Sequence, residues 1–170
     1  MNYLSTFRHS ALLFVCALTL SACATTDFGG GSGEQRARTL ADNGRHDDAA
    51  GAYIGLATNV GGLERDRLTL LAVEQWLFAG DGRRARNALR TVATPTAGEL
   101  LWLWSADSAA LELWEGNPDE ALALLEPLSQ QALRGEHRTR VEALRADAWF
   151  QKGDPLRAVD LYIQRENWLD

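Results

Sequence analysis

Gly116-Asn117-Pro118-Asp119-Glu120-Ala121 is one of four copies of a single turn; the other three begin at Gly44, Gly80 and Gly153. The intervals are 36, 36 and 37 residues, and each glycine is followed five positions later by an alanine: Ala49, Ala85, Ala121 and Ala158. A period of this size marks stacked supersecondary units. Glycine tolerates the left-handed conformation that ends a helix, and the residue after it stands where a cap for the next helix belongs. That residue is Asp81, Asn117 or Asp154 in three copies and Arg45 in the first. Pro118 and Pro155 fall at the first helical position, where a missing N–H costs nothing, and Glu120 completes a capping box with Asn117. Each copy therefore predicts a helix, a tight reversal and a second helix.

Outward from these turns the apolar spacing is helical throughout, over 34–43, 47–58, 63–79, 83–92, 97–115, 118–133, 137–152 and 155–167. No segment alternates with a period of two, so the fold class is all-α. Connections of a few residues make each pair an antiparallel hairpin, and four hairpins in series give an α-solenoid. Small residues recur seven positions before the glycine as Ala37, Val73, Ala109 and Ala146, and large ones nine after it as Tyr53, Leu89, Leu125 and Tyr162. This pattern resembles the tetratricopeptide repeat. It departs from that repeat in lacking the usual proline that closes the second helix and in exceeding the 34-residue period.

Ahead of the repeat lies an address. Arg8 precedes an apolar run from Ala11 to Leu20, too short to span a bilayer, which needs about 20 residues, so residues 1–22 read as a signal peptide. The run closes on Leu20-Ser21-Ala22-Cys23, which resembles the lipobox of bacterial lipoproteins. The resemblance implies that Cys23 is lipidated and becomes the first residue of the mature chain. Each buried CH₂ of its acyl chains would contribute about 0.8 kcal/mol of membrane affinity. Ala24, in place of the aspartate that resembles an inner-membrane retention signal, points to the outer membrane and its periplasmic face. Residues 23–33 then form the lipidated cysteine and a glycine-rich tether, with a reach of about 17 Å for 24–33, and 34–170 the helical-repeat domain. Loss of Arg8 with the leader takes the formal charge from −6 to −7, and loss of Cys16 leaves one cysteine and no internal disulfide.

The chemistry-bearing residues do not assemble into a catalytic pattern. Lys152 is the only lysine and no basic stripe exists, which excludes a nucleic-acid footprint. His46 and His137 stand in no metal-ligand spacing, and no nucleophile elbow, P-loop or dinucleotide turn is present. Asp47, Asp119 and Glu120 sit in first turns, where acids favour the helix dipole, and Glu112 and Glu115 read as a solvated face. The expectation is a protein that is not an enzyme and needs neither cofactor nor metal. Of the six tryptophans, Trp76 and Trp149 occupy equivalent core positions four residues before a glycine. On the helix over 97–115, Leu101, Ser105, Ser108, Glu112 and Glu115 make a polar stripe opposite a face of Trp102, Ala106, Ala109, Ala110 and Leu113. Trp104 falls beside the stripe and is expected to be more exposed than Trp102. Trp104, Leu101 and Trp168 are the candidate partner contacts.

The lipobox, the tether and the irregular hairpins together resemble the N-terminal domain of the penicillin-binding protein activator lipoproteins. The run Arg67-Leu68-Thr69-Leu70-Leu71-Ala72-Val73-Glu74 and the segment 138–148 leading to Gly153-Asp154-Pro155 carry the likeness. That resemblance implies an outer-membrane lipoprotein that binds and activates a bifunctional, class A penicillin-binding protein, with peptidoglycan as a second contact; a further domain follows in the family. The alternative is a tetratricopeptide scaffold lipoprotein of an envelope machine, for pilus biogenesis or outer-membrane protein assembly. A solenoid end needs a polar outer face. Leu161, Tyr162, Trp168 and Leu169 are instead large and apolar, so a further domain or a partner is expected to cover that end.

Overall fold

The computed structural model describes residues 30–129, 133 and 135–164, and over these the chain is an all-α solenoid of four hairpins. Helices α1 (Gly30–Asp42) and α2 (His46–Ala57) form the first, α3 (Gly62–Phe78) and α4 (Gly82–Leu89) the second. Helices α5 (Gly98–Glu115) and α6 (Pro118–Ser129) form the third, α7 (Gly135–Gln151) and α8 (Pro155–Gln164) the fourth. Each second helix packs on the first helix of the next hairpin, and α3, α5 and α7 also pack in succession.

The four glycine turns use one hydrogen-bond scheme. Gly44, Gly80, Gly116 and Gly153 have φ of 72°, 77°, 83° and 82°. The N–H after each glycine donates to the carbonyl four residues before it: Leu40, Trp76, Glu112 and Trp149, at 2.8 to 2.9 Å. The glycine N–H itself donates three residues back, which makes each turn a Schellman motif. Ala49, Ala85, Ala121 and Ala158 then donate the first bond of the second helix back to the residue after the glycine. All four alanines are buried, because the helices cross there. Asp81 and Asp154 cap as expected, accepting from the N–H of Arg84 and Arg157. Asn117 instead sends its side-chain amide back to Glu112 Oε2 at 2.9 Å.

A second glycine ladder opens the first helices. Gly62, Gly98 and Gly135 also have positive φ and repeat at 36 and 37 residues, so both kinds of reversal in the solenoid run through the left-handed region. The core between them holds the small and large positions in register. Ala37, Val73, Ala109 and Ala146 are buried, as are Tyr53, Leu89 and Leu125, whereas Tyr162 is 40% exposed on the last helix.

Three sequence expectations shift. Helix α1 begins at Gly30, so the last four residues of the expected tether are helical; Gly33 lies close under Leu56, where a Cβ would come within 2.7 Å of its Cδ2. Helix α6 is described to Ser129 with Pro127 inside it, and Leu133, the expected last helical residue, is not helical. The polar stripe on α5 is not there: Ser105 and Ser108 are buried, because α5 is the central helix, packed by α3, α4, α6 and α7 together. Residues 1–29, with the leader and Cys23, and 165–170, with Trp168 and Leu169, lie outside the described residues.

Replacing Gly80 or Gly153 by valine should cost about 1–3 kcal/mol, since a β-branched residue is forced to positive φ with no clash to blame. Urea midpoints for both variants equal to that of the parent would show that the turns are not held in this conformation.

Candidate functional site

The first helices line a concave groove of about 1510 Å³. Gln35 and Arg38 of α1, Leu71 and Glu74 of α3, Trp102 of α5 and Arg140 of α7 mark its length. Because a helix shows the same face every three or four residues, one face of each first helix reaches it, joined by His46 and Tyr53 of α2.

Near the first hairpin, Arg67 of α3 grips Glu34 of α1 with two bonds, Nη1 to Oε1 at 3.1 Å and Nη2 to Oε2 at 2.7 Å. It also donates to Glu64 on its own helix at 2.8 and 3.0 Å. These bonds hold the Glu34 and Glu64 carboxyls below the usual carboxylate range. His46 Nδ1 lies 2.9 Å from Gln75 Oε1, and Phe78, 60% exposed, tilts over the imidazole with ring centres 5.3 Å apart.

Toward the other end, Arg140 of α7 ties three helices. Its Nη2 donates to Asp107 Oδ1 of α5 at 2.5 Å, and its Nη1 lies 3.0 Å from Glu74 Oε1 of α3. The Asp107 side chain is wholly buried, while Arg140 and Glu74 keep 17% and 19% of theirs exposed. Burial pushes the Asp107 carboxyl up to about 7, against the pull of Arg140 and with the push of Glu74. Beside this staple Trp102 stacks on His137, ring centres 3.8 Å apart, joining α5 to α7 a second time.

Of the candidate contacts, Trp104 is half-buried and, as expected, more exposed than Trp102, which is buried and lines the groove. Trp104 and Leu101 do not line the groove, and Trp168 lies outside the described residues. Trp149 departs from its expected core place: it is half-buried, with the Arg157 guanidinium 3.9 Å from its ring centre. Glu112 is less solvated than expected, half-buried and bonded to Asn117, while Glu115 is exposed and paired with Arg86. Trp114, singled out for nothing in the sequence, is 54% exposed and lies face-on over Gly82, where a Cβ would meet three atoms of its ring fusion. The Asp107 staple also went unseen. Two signals would have found it: Asp107 stands on an otherwise apolar face with Leu103 and Leu111, and Arg140 and Arg67 each stand thirteen residues before a turn glycine.

Among the described residues no group of His, Cys, Asp and Glu side chains could hold a metal ion, and no helix is long and apolar enough to cross a membrane. No protein-family model, curated protein or solved structure matches the chain.

A proton that folded Asp107 keeps and the unfolded chain releases near pH 4 makes stability fall as pH rises from about 4 to about 7. The stability of the parent minus that of Asp107→Asn should therefore decline by up to about 1.4 kcal/mol per pH unit in that window and level off above it. Urea titrations at pH 5, 6, 7 and 8 measure this difference; a flat line would place the Asp107 titration elsewhere.

Proposed function

We propose that this chain is a docking protein of the bacterial envelope, without catalysis of its own. In this reading it is anchored through Cys23 to the periplasmic face of the outer membrane and holds a segment of a partner protein in its concave groove. The observation that carries the reading is the groove. It is long, and the paired charges and the stacked Trp102 and His137 hold its walls in place before any partner arrives. Preorganised walls lower the ordering cost of binding. The groove mixes apolar side chains such as Leu71 and Leu144 with both signs of charge, the lining that a peptide segment needs and a small substrate does not.

The resemblance to the penicillin-binding protein activators supports a class A penicillin-binding protein as that partner, with peptidoglycan as a second contact. The address supports the same compartment, since the signal peptide and the lipobox send the chain across the inner membrane.

Two measurements test this. Replacing Cys23 by alanine should move the protein from the membrane fraction to the soluble periplasm, and retention in membranes after a high-salt wash would remove the anchor. A photo-crosslinking side chain at Ala143, in the groove wall, should capture a class A penicillin-binding protein from intact envelopes, and the same group at Asn87, exposed on α4, should not. Capture of secretin or barrel-assembly subunits at Ala143 would replace that partner by an envelope-assembly one. Equal capture at both positions would remove the groove as the docking surface.

A further inference from the structure

Arg140 faces two carboxylates with one positive charge. The charges that act on Asp107 are Arg140 from α7 and Glu74 from α3. Other cations on the helices packed around it are engaged elsewhere: Arg67 of α3 with Glu34 and Glu64, Arg86 of α4 with Glu115, and Arg145 of α7 near Glu126 and Glu142. With both carboxyls ionised the cluster carries one uncompensated negative charge in a poorly hydrated place. Asp107 is worse placed than Glu74 to carry it. Its Oδ1 takes the Arg140 bond, but its Oδ2 is buried with no hydrogen-bond partner, and a charged oxygen there is costly.

We propose that Glu74, Arg140 and Asp107 form a proton-operated latch across the groove, closed when Asp107 carries a proton and loosened when it is charged beside the Glu74 carboxylate. In the closed state Asp107 is neutral, Glu74 and Arg140 balance each other, and α3, α5 and α7 are held together. Loss of the proton leaves two negative groups on either side of one guanidinium. Water can relieve Asp107 only if the contact between α5 and α7 opens, because its side chain has no exposed surface in the closed state. Helix α7 forms the groove wall there, through His137, Arg140, Ala143 and Leu144. The upward displacement of the Asp107 carboxyl by burial sets the operating range near neutrality. Such a groove would be firm in mildly acidic surroundings and more open in mildly alkaline ones. The latch acts on the groove that the docking reading uses, yet it needs no partner to be observed, so its failure would leave that reading standing.

Hydrogen exchange of the purified full chain at pH 6 and pH 8, corrected for the intrinsic pH dependence of exchange, tests the latch. Peptides from α7 should lose protection by about tenfold at pH 8, the change expected for an opening linked to one proton. Peptides from α1 and α2 should show no corrected change. Asp107→Asn removes the titrating carboxyl and should abolish the pH response of α7, and Glu74→Gln, which removes the push of a second charge, should diminish it. His137→Gln should keep it, because the response is carried by Asp107 and not by the imidazole on that wall. Equal corrected protection of parental α7 at both pH values would overturn the latch. So would a pH response that is undiminished in whichever of the two carboxyl variants folds, or one that disappears in His137→Gln.

Discussion

Everything in this solenoid depends on a backbone reversal that only glycine makes cheaply. At Gly44, Gly80, Gly116 and Gly153 the chain must enter positive φ so that the N–H of the following residue can reach the carbonyl of Leu40, Trp76, Glu112 or Trp149. That bond points the chain back along the helix it has just left. The second helix then starts so close to the first that only alanine fits at the crossing, which is why Ala49, Ala85, Ala121 and Ala158 are buried. The position of every groove-lining side chain follows, because the first helices are presented side by side only when the second helices fold behind them. The glycines of the second ladder, Gly62, Gly98 and Gly135, make the return reversal and set the start of each new groove wall.

The charged rungs across the first helices differ in what they contribute. Arg67 and Glu34 keep about a fifth of their side chains in water and pair in a fork-to-fork geometry, so their desolvation is modest. A pair of this kind contributes on the order of 0–1 kcal/mol. Arg140 and Asp107 are another case, since one partner is wholly buried and the attraction is spent largely against desolvation. What such a pair does supply is geometry: it admits one relative position of α3, α5 and α7 and penalises the rest. The staple is therefore better understood as setting the register of the groove than as stabilising the fold.

The sequence showed the periodic part of this structure and hid the part that depends on neighbours. All eight helices, the four turns and the small and large positions follow from local rules of spacing and φ, and these lie where the spacing places them. The orientation of α5 does not follow from its own residues. Ser105 and Ser108 look like a solvent stripe until α3, α4, α6 and α7 are known to pack around α5. Trp149 looks like core until the fourth hairpin is seen to have no described helix stacked on α8, which leaves Leu156, Val159 and Ile163 exposed. Nothing in the spacing marks Trp114, which lies over Gly82, a glycine that matters for the room it leaves and not for its φ.

A finer order lies over the 36-residue period. The even hairpins carry Arg67 and Arg140 thirteen residues before the turn glycine, Trp76 and Trp149 four before it, and Arg84 and Arg157 four after it. In both, the arginine after the turn lies over the tryptophan before it, at 5.5 and 3.9 Å from the ring centre. The odd hairpins place Leu40 and Glu112, then Asp48 and Glu120, at the last two of these positions. Cations of the even hairpins reach back to acids of the odd ones: Arg67 to Glu34, Arg84 to Asp47, Arg140 to Asp107 and Lys152 to Asp119. Apolar stacking alone would accept the hairpins in several orders, since each presents similar small and large residues. The charges do not. Stacking the first hairpin directly on the third would set Glu34 opposite Leu103 and Asp47 opposite Glu120, with no cation in the place of Arg67 or Arg84. Repulsion and unpaired acids then disfavour the wrong order, as partner choice in coiled coils is set by flanking charges. The groove consequently has a fixed sequence of walls, with Arg67 on Glu34 in one rung and Arg140 on Asp107 in another.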